Sequence, residues 1–104
     1  MTDLEITRLC AEAMGYVDKS VGESIGGIMV CGERFHFIWN PLEDDAQAMA
    51  LVKKFNLLIN WNTKTECWVM PMMAEGSMFD SADHANLNRA ICECVAKMTK
   101  EKAS

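Results

Sequence analysis

The chain has 104 residues, 50% of them hydrophobic and 24% charged, with a formal net charge of -5 at pH 7. That length and balance predict one folded domain over residues 1–104 and exclude a disordered chain. The acidic balance argues against direct binding to nucleic-acid phosphates, which needs a basic face. The carboxylates are spread along the chain, as expected of a solvated surface; a basic partner or nucleic-acid mimicry is the sharper alternative.

Cys10, Cys31, Cys67, Cys92 and Cys94 are odd in number, without paired CxxC spacing, and no signal peptide or long apolar run accompanies them. A reduced, cytoplasmic protein without a membrane span is expected. Cys92 and Cys94, two apart on a helix, point about 200° from each other and cannot share a metal. With only His36 and His84 as imidazoles and no clustered ligand spacing, neither metal nor cofactor is expected.

In chain order, Thr2-Asp3-Leu4-Glu5 is a capping box that starts a first helix. Ile6, Leu9, Cys10, Ala13 and Val17 form its apolar stripe, and Gly15 ends it near Ala13 or Met14. Residues 18–27 read as a loop. Gly22, Gly26 and Gly27 lack the motifs of a phosphate loop, so a plain turn and the start of a strand are expected. Ile28 to Cys31 and Arg34 to Trp39, around Gly32-Glu33, predict a hairpin. His36 lies on the face opposite Phe35, Phe37 and Trp39, and reads as a hydrogen-bonded, semi-buried side chain.

At Trp39-Asn40-Pro41-Leu42-Glu43-Asp44-Asp45-Ala46 a strand pattern gives way to a helix pattern. Pro41 stops the strand, Asp44 or Asp45 caps the helix, and the acids suit its dipole. Ala48, Leu51, Val52 and Phe55 are the buried stripe of this second helix, which runs to about Phe55. A second hairpin, Leu57 to Trp61 and Thr65 to Met70, follows at once. Strand, helix and strand with short connections predict a right-handed crossover with the strands near 35–39 and 57–61 parallel. The continuous runs Phe37-Ile38-Trp39 and Leu57-Leu58-Ile59 predict a sheet covered on both faces. The expected fold is therefore α/β (α+β), a three-layer α/β/α sandwich in the order α-β-β-α-β-β-α, with a four-stranded mixed sheet.

Pro71 to Asp80 reads as an apolar loop in which Met70, Met72, Met73, Met78 and Phe79 either pack inward or form an interface, a homodimer first among such interfaces. The last helix is expected from Asp83 or His84, with Asp83 as cap, to about Glu101, with Leu87, Ile91, Cys94 or Val95, and Met98 inward.

The Trp39 to Ala46 junction, the helix and Trp-containing hairpin after it, and Leu87-Asn88-Arg89-Ala90-Ile91 opening a final helix resemble the phage ABA sandwich domain of NinX-like small phage proteins. The resemblance spans Leu4 to Met98. It implies a phage or prophage product with an α/β/α sandwich, and it implies no reaction. Three functions are weighed: a non-enzymatic accessory protein that binds a host or phage protein, for instance to inhibit host defence or regulation; a binder of a small nucleotide signal; and an enzyme using Cys31 and His36. A ligand site would draw on Trp39, Asn40, Asp44, Asp45 and Arg89, although the acids would repel a bare anion.

Overall fold

Thr2 sets the start of the first helix, its hydroxyl accepting from the Glu5 amide at 3.1 Å, and α1 (Asp3–Ala13) follows. The computed structural model describes residues 2–16, 20–24, 27–31, 36–61, 64–72 and 85–103. Ile6, Thr7, Cys10 and Ala11 are buried on α1, with Leu9 and Ala13 packed at the margin. Met14 caps the helix and Gly15 follows at φ 82°, the end expected from the sequence. Val17 lies outside the described residues.

Three antiparallel strands come next: β1 (Ser20–Ser24), β2 (Gly27–Cys31) and β3 (His36–Trp39), in the order β1-β2-β3. The expected hairpin is the β2–β3 pair, which sets Ile28 opposite Trp39 and Val30 opposite Phe37. The strand β1 replaces part of the loop expected over 18–27, in register with β2 from Ser20↔Cys31 to Ser24↔Gly27. Val21 is its one apolar residue, too little for an alternation to show. Gly27 begins β2 at φ 145°, where a Cβ would stand 2.5 Å from the Trp39 carbonyl oxygen and 2.8 Å from the Asn40 Cβ. Only a glycine lets the two backbones approach this closely.

Helix α2 (Asp45–Phe55) is capped by Asp44, whose side chain accepts from the Gln47 amide. It ends at Asn56 in the left-handed region, φ 51°, whose amide donates to Val52. That one residue turns the chain into β4 (Leu57–Trp61), which pairs antiparallel with β5 (Cys67–Pro71). The last helix, α3 (Leu87–Ala103), begins later than expected. Its cap is Asn86, which accepts from the Arg89 amide through its side chain and from the Ala90 amide through its carbonyl. Asp83 and His84 lie outside the described residues.

The fold is thus mixed α and β, with a three-stranded and a two-stranded antiparallel sheet in place of the expected four-stranded mixed sheet. Among the described residues no parallel pairing joins β3 to β4. Two side chains give the physical reason. Gln47 occupies the outer edge of β3, its Nε2 donating to the Ile38 carbonyl at 2.8 Å and its Oε1 accepting from the Asn40 amide at 2.6 Å. The primary amide thereby meets the backbone groups that a neighbouring strand would have met. Leu58, in the middle of the continuous apolar run, is 42% exposed, so that run does not signal a strand covered on both faces.

Helix α3 packs most extensively against α1, and also against β5 and α2, while α1 also touches β2 and α2 also touches β4. From Ala90 to Ala96 every α3 residue except Glu93 is buried, as suits a helix enclosed on most sides. The core gathers Ile6 and Cys10 of α1, Ile28 and Val30 of β2, Trp39, Leu51 of α2, Cys67 and Val69 of β5, and Ile91 and Val95 of α3.

Candidate functional site

Helices α1, α2 and α3 begin at one end of the molecule, and side chains tie their first turns together. Arg89 of α3 donates to Asp3 of α1 at 2.7 Å, and Asn88 of α3 donates to Asp45 of α2 at 2.8 Å. The hydrogen bond to Asp3 raises the Arg89 pKa further above its ordinary value, so the guanidinium is charged at any working pH. Between β3 and α2 the chain turns tightly, with the amides of Glu43 and Asp44 both donating to the Asn40 carbonyl at 3.0 Å and Pro41 buried beneath.

Two open clefts flank this turn and share Leu42 and Glu43 as the ridge between them. The larger, of about 510 Å³, lies between the first turns of α2 and α3; Leu42, Met49, Leu87 and Ile91 supply its apolar surface, and Glu43, Asp45, Asn86 and Asn88 its polar rim. The smaller, of about 240 Å³, runs toward α1 and is lined by Asp3, Leu4, Thr7, Gly27 and Asn40 besides the shared pair. Met49, at the wall of the larger cleft, is 41% exposed, one of five large apolar side chains so exposed among the described residues, with Leu4, Leu58, Trp61 and Met72.

Of the residues expected to form a binding site, Trp39 is not available. Its ring is 1% exposed, its Nε1 donates to the Thr7 carbonyl at 3.2 Å, and Tyr16 stands edge-on at 5.3 Å. It fixes β3 to α1 and is architectural. Asn40 is half-buried in the smaller cleft, with its backbone amide held by Gln47. Asp44 is spent on the α2 cap. Asp45 and Arg89 are brought to the same end as Asn40, but each is bonded across a helix pair rather than aimed at a common point.

Leu42, Met49, Asn86 and Asn88 carry the larger cleft, and sequence reasoning passed over them as site residues. A half-exposed Met one turn into a helix has no signature distinct from a core position, and the pairing of Asn88 with Asp45 joins residues far apart in the chain. Gly27 begins β2, the strand start expected there rather than an anion loop, and its backbone lets β2 meet β3 closely.

The expected Met-rich interface lies elsewhere. Met70 is half-buried on β5 opposite Leu58, and Met72 is 63% exposed with its amide bonded to the Asn56 carbonyl, at the C-terminal end of α2. That is a helix length, about 16 Å at 1.5 Å per residue, from the cleft. Met73, Met78 and Phe79 lie outside the described residues.

No protein family, curated protein or solved structure matches this chain. Its chemistry rests on the residues alone. Cys10, Cys67, Cys92 and Cys94 are free and buried. The Cys10 thiol donates to the Cys92 carbonyl at 3.4 Å. Hydrogen bonding to the Cys92 side chain and then burial, with Cys92 and Cys94 adding to both, push its pKa far above the ordinary thiol range, so it is an inert neutral group. Cys31 and His36 are register partners on β2 and β3; their side chains lie outside the described residues. Among the described residues no group of His, Cys, Asp and Glu is placed to hold a metal ion, and no helix is long and apolar enough to cross a membrane.

Proposed function

We propose that this chain is a small phage- or prophage-encoded accessory protein that acts without catalysis in the host-cell cytoplasm, by binding a host or phage protein, as an inhibitor of host defence or regulation. The setting is supported by the resemblance of the Trp39 to Ala46 junction and of Leu87 to Ile91 to the phage ABA sandwich domain. The same reading takes the fold as a variant of that sandwich, in which the first hairpin has gained the strand β1 and the succession of helix, sheet, helix, hairpin and helix is otherwise kept. The binding role rests on one observation, the open cleft at the joined helix starts with Met49 exposed in it.

The nucleotide-binding alternative loses its stacking residue with Trp39 buried. The smaller cleft, beside Asn40, carries Asp3 and Glu43, which oppose a phosphate. Co-purification of the tagged full chain from its natural host is the direct test. A specific partner recovered in near-stoichiometric amount is expected. Recovery of none, with the bait in excess, would refute the proposal.

A further inference from the structure

We infer that the larger cleft is a docking groove for a cationic amphipathic segment of the partner, a helix with an apolar stripe flanked by Lys or Arg. This deepens the binding role proposed above and rests on it. The floor sets the apolar half of the requirement. Leu42, Met49, Leu87 and Ile91 line a cleft of about 510 Å³, within the roughly 300–1,000 Å³ typical of occupied sites. Residues at helical spacing on a partner present such a stripe, and a flexible thioether such as Met49 adapts to its shape.

Charge selects among apolar partners. Two helix starts, those of α2 and α3, meet at this cleft, each worth about half a positive charge, and by themselves they would attract an anion. Against them stand the two carboxylates that line it, Glu43 and Asp45. The balance leaves the cleft negative by about one charge. The helix dipoles are thus overcompensated, and an acidic or phosphorylated segment is repelled. Glu43 is exposed on the ridge with no side-chain partner among the described residues, and Asp45 is exposed at the rim. The basic last turn of α2, Lys53 and Lys54, lies at the far end of that helix.

The test uses the full chain and three labelled synthetic helices followed by fluorescence anisotropy: a Leu stripe at i, i+4 and i+7 flanked by lysines, the same stripe flanked by glutamates, and the lysine peptide with Ser for Leu. The first alone should bind, more weakly as salt rises. Glu43→Lys should weaken it about fivefold and improve the glutamate peptide. Met49→Lys should weaken it at least about tenfold. Both altered side chains are exposed, and circular dichroism verifies that each variant is folded.

Equal binding of the lysine and glutamate peptides, no binding of either, or lysine-peptide binding indifferent to Met49→Lys would overturn the inference. Self-association of the chain that Met49→Lys abolishes would put a second copy in the groove and overturn it as well. A co-purified partner still held by Met49→Lys and Glu43→Lys would refute the groove while leaving the binding role intact, whereas absence of any partner refutes the role itself.

Discussion

Replacing Gln47 with Met should lower the stability of the chain by about 2 kcal/mol, because one side chain satisfies two backbone groups at the edge of β3. Met and Gln have nearly equal helix propensity, so α2 itself is not perturbed. What is lost is the bond from the Asn40 amide at 2.6 Å and the bond to the Ile38 carbonyl at 2.8 Å. Each is worth about 1 kcal/mol, and the half-buried setting lets water soften the larger penalty of an orphaned group. For a chain of 104 residues the loss corresponds to a fall in Tm of roughly 10 °C, readable by urea or thermal unfolding. Gln47→Glu adds a diagnostic. It keeps an acceptor for Asn40, but only its protonated form can donate to Ile38, which raises the folded-state pKa above the ordinary carboxyl value. A raised folded pKa contributes stability that is present below the unfolded value, about 4.3, and is lost as pH rises through the folded value. The Glu variant should therefore approach the parent near pH 4 and fall behind it toward pH 7. A Met variant within about 0.5 kcal/mol of the parent, which one water-filled edge would produce, would refute the role assigned to Gln47.

Gly27→Ala should cost about 2–4 kcal/mol, since its Cβ meets the backbone of Trp39 at 2.5 Å and the φ of 145° is strained for any L side chain; a urea midpoint unchanged from the parent would contradict this. Cys10 supplies a pH test. Its folded pKa is raised, so its contribution is fully present below the unfolded thiol value of about 8.5 and is lost above it. Between pH 9 and 10.5, as approximate bounds, stability of the parent should fall more steeply than that of Cys10→Ala by about 1.4 kcal/mol per pH unit, and parallel slopes would show that the thiol titrates normally.

Local signals in the sequence located most elements, because caps and strand stops act over a few residues. Thr2, Pro41, and Asp44 ahead of an apolar stripe each do in the structure what their chemistry predicts. Long-range pairing was less legible. The parallel crossover failed because a side chain, Gln47, took the strand edge, and no periodicity distinguishes a glutamine facing solvent from one facing a backbone. The strand β1 was missed because its register is imposed by β2 rather than by its own pattern. The small residues Ala90 and Ala96 were missed from the core because apolar stripes are recognised by large side chains, while close helix contacts are made by small ones. At the candidate site the junction residues were found but their roles were inverted. Trp39, the most conspicuous of them, is core, and the exposed apolar side chain at the larger cleft is Met49 in the helix that follows.

The same inversion explains how the cleft can exist without weakening the fold. A helix start leaves amides unsatisfied, and three of them at one end would repel one another through their dipoles. Thr2, Asp44 and Asn86 each accept from an amide of the following turn. Asp3 and Asp45 place negative charge at two of the starts, while Arg89 and Asn88 bind those carboxylates from the third. Exposed as they are, these contacts contribute little stability, about 1 kcal/mol or less for the ion pair. Their effect is geometric: they tie the first turns of α1, α2 and α3 together beside the two clefts that share Leu42. The residues that first suggested a ligand site, Asp44, Asp45 and Arg89, are the fastenings of the walls. Loosening them should change the width of the groove, and with it what the groove admits, before it changes whether the chain folds.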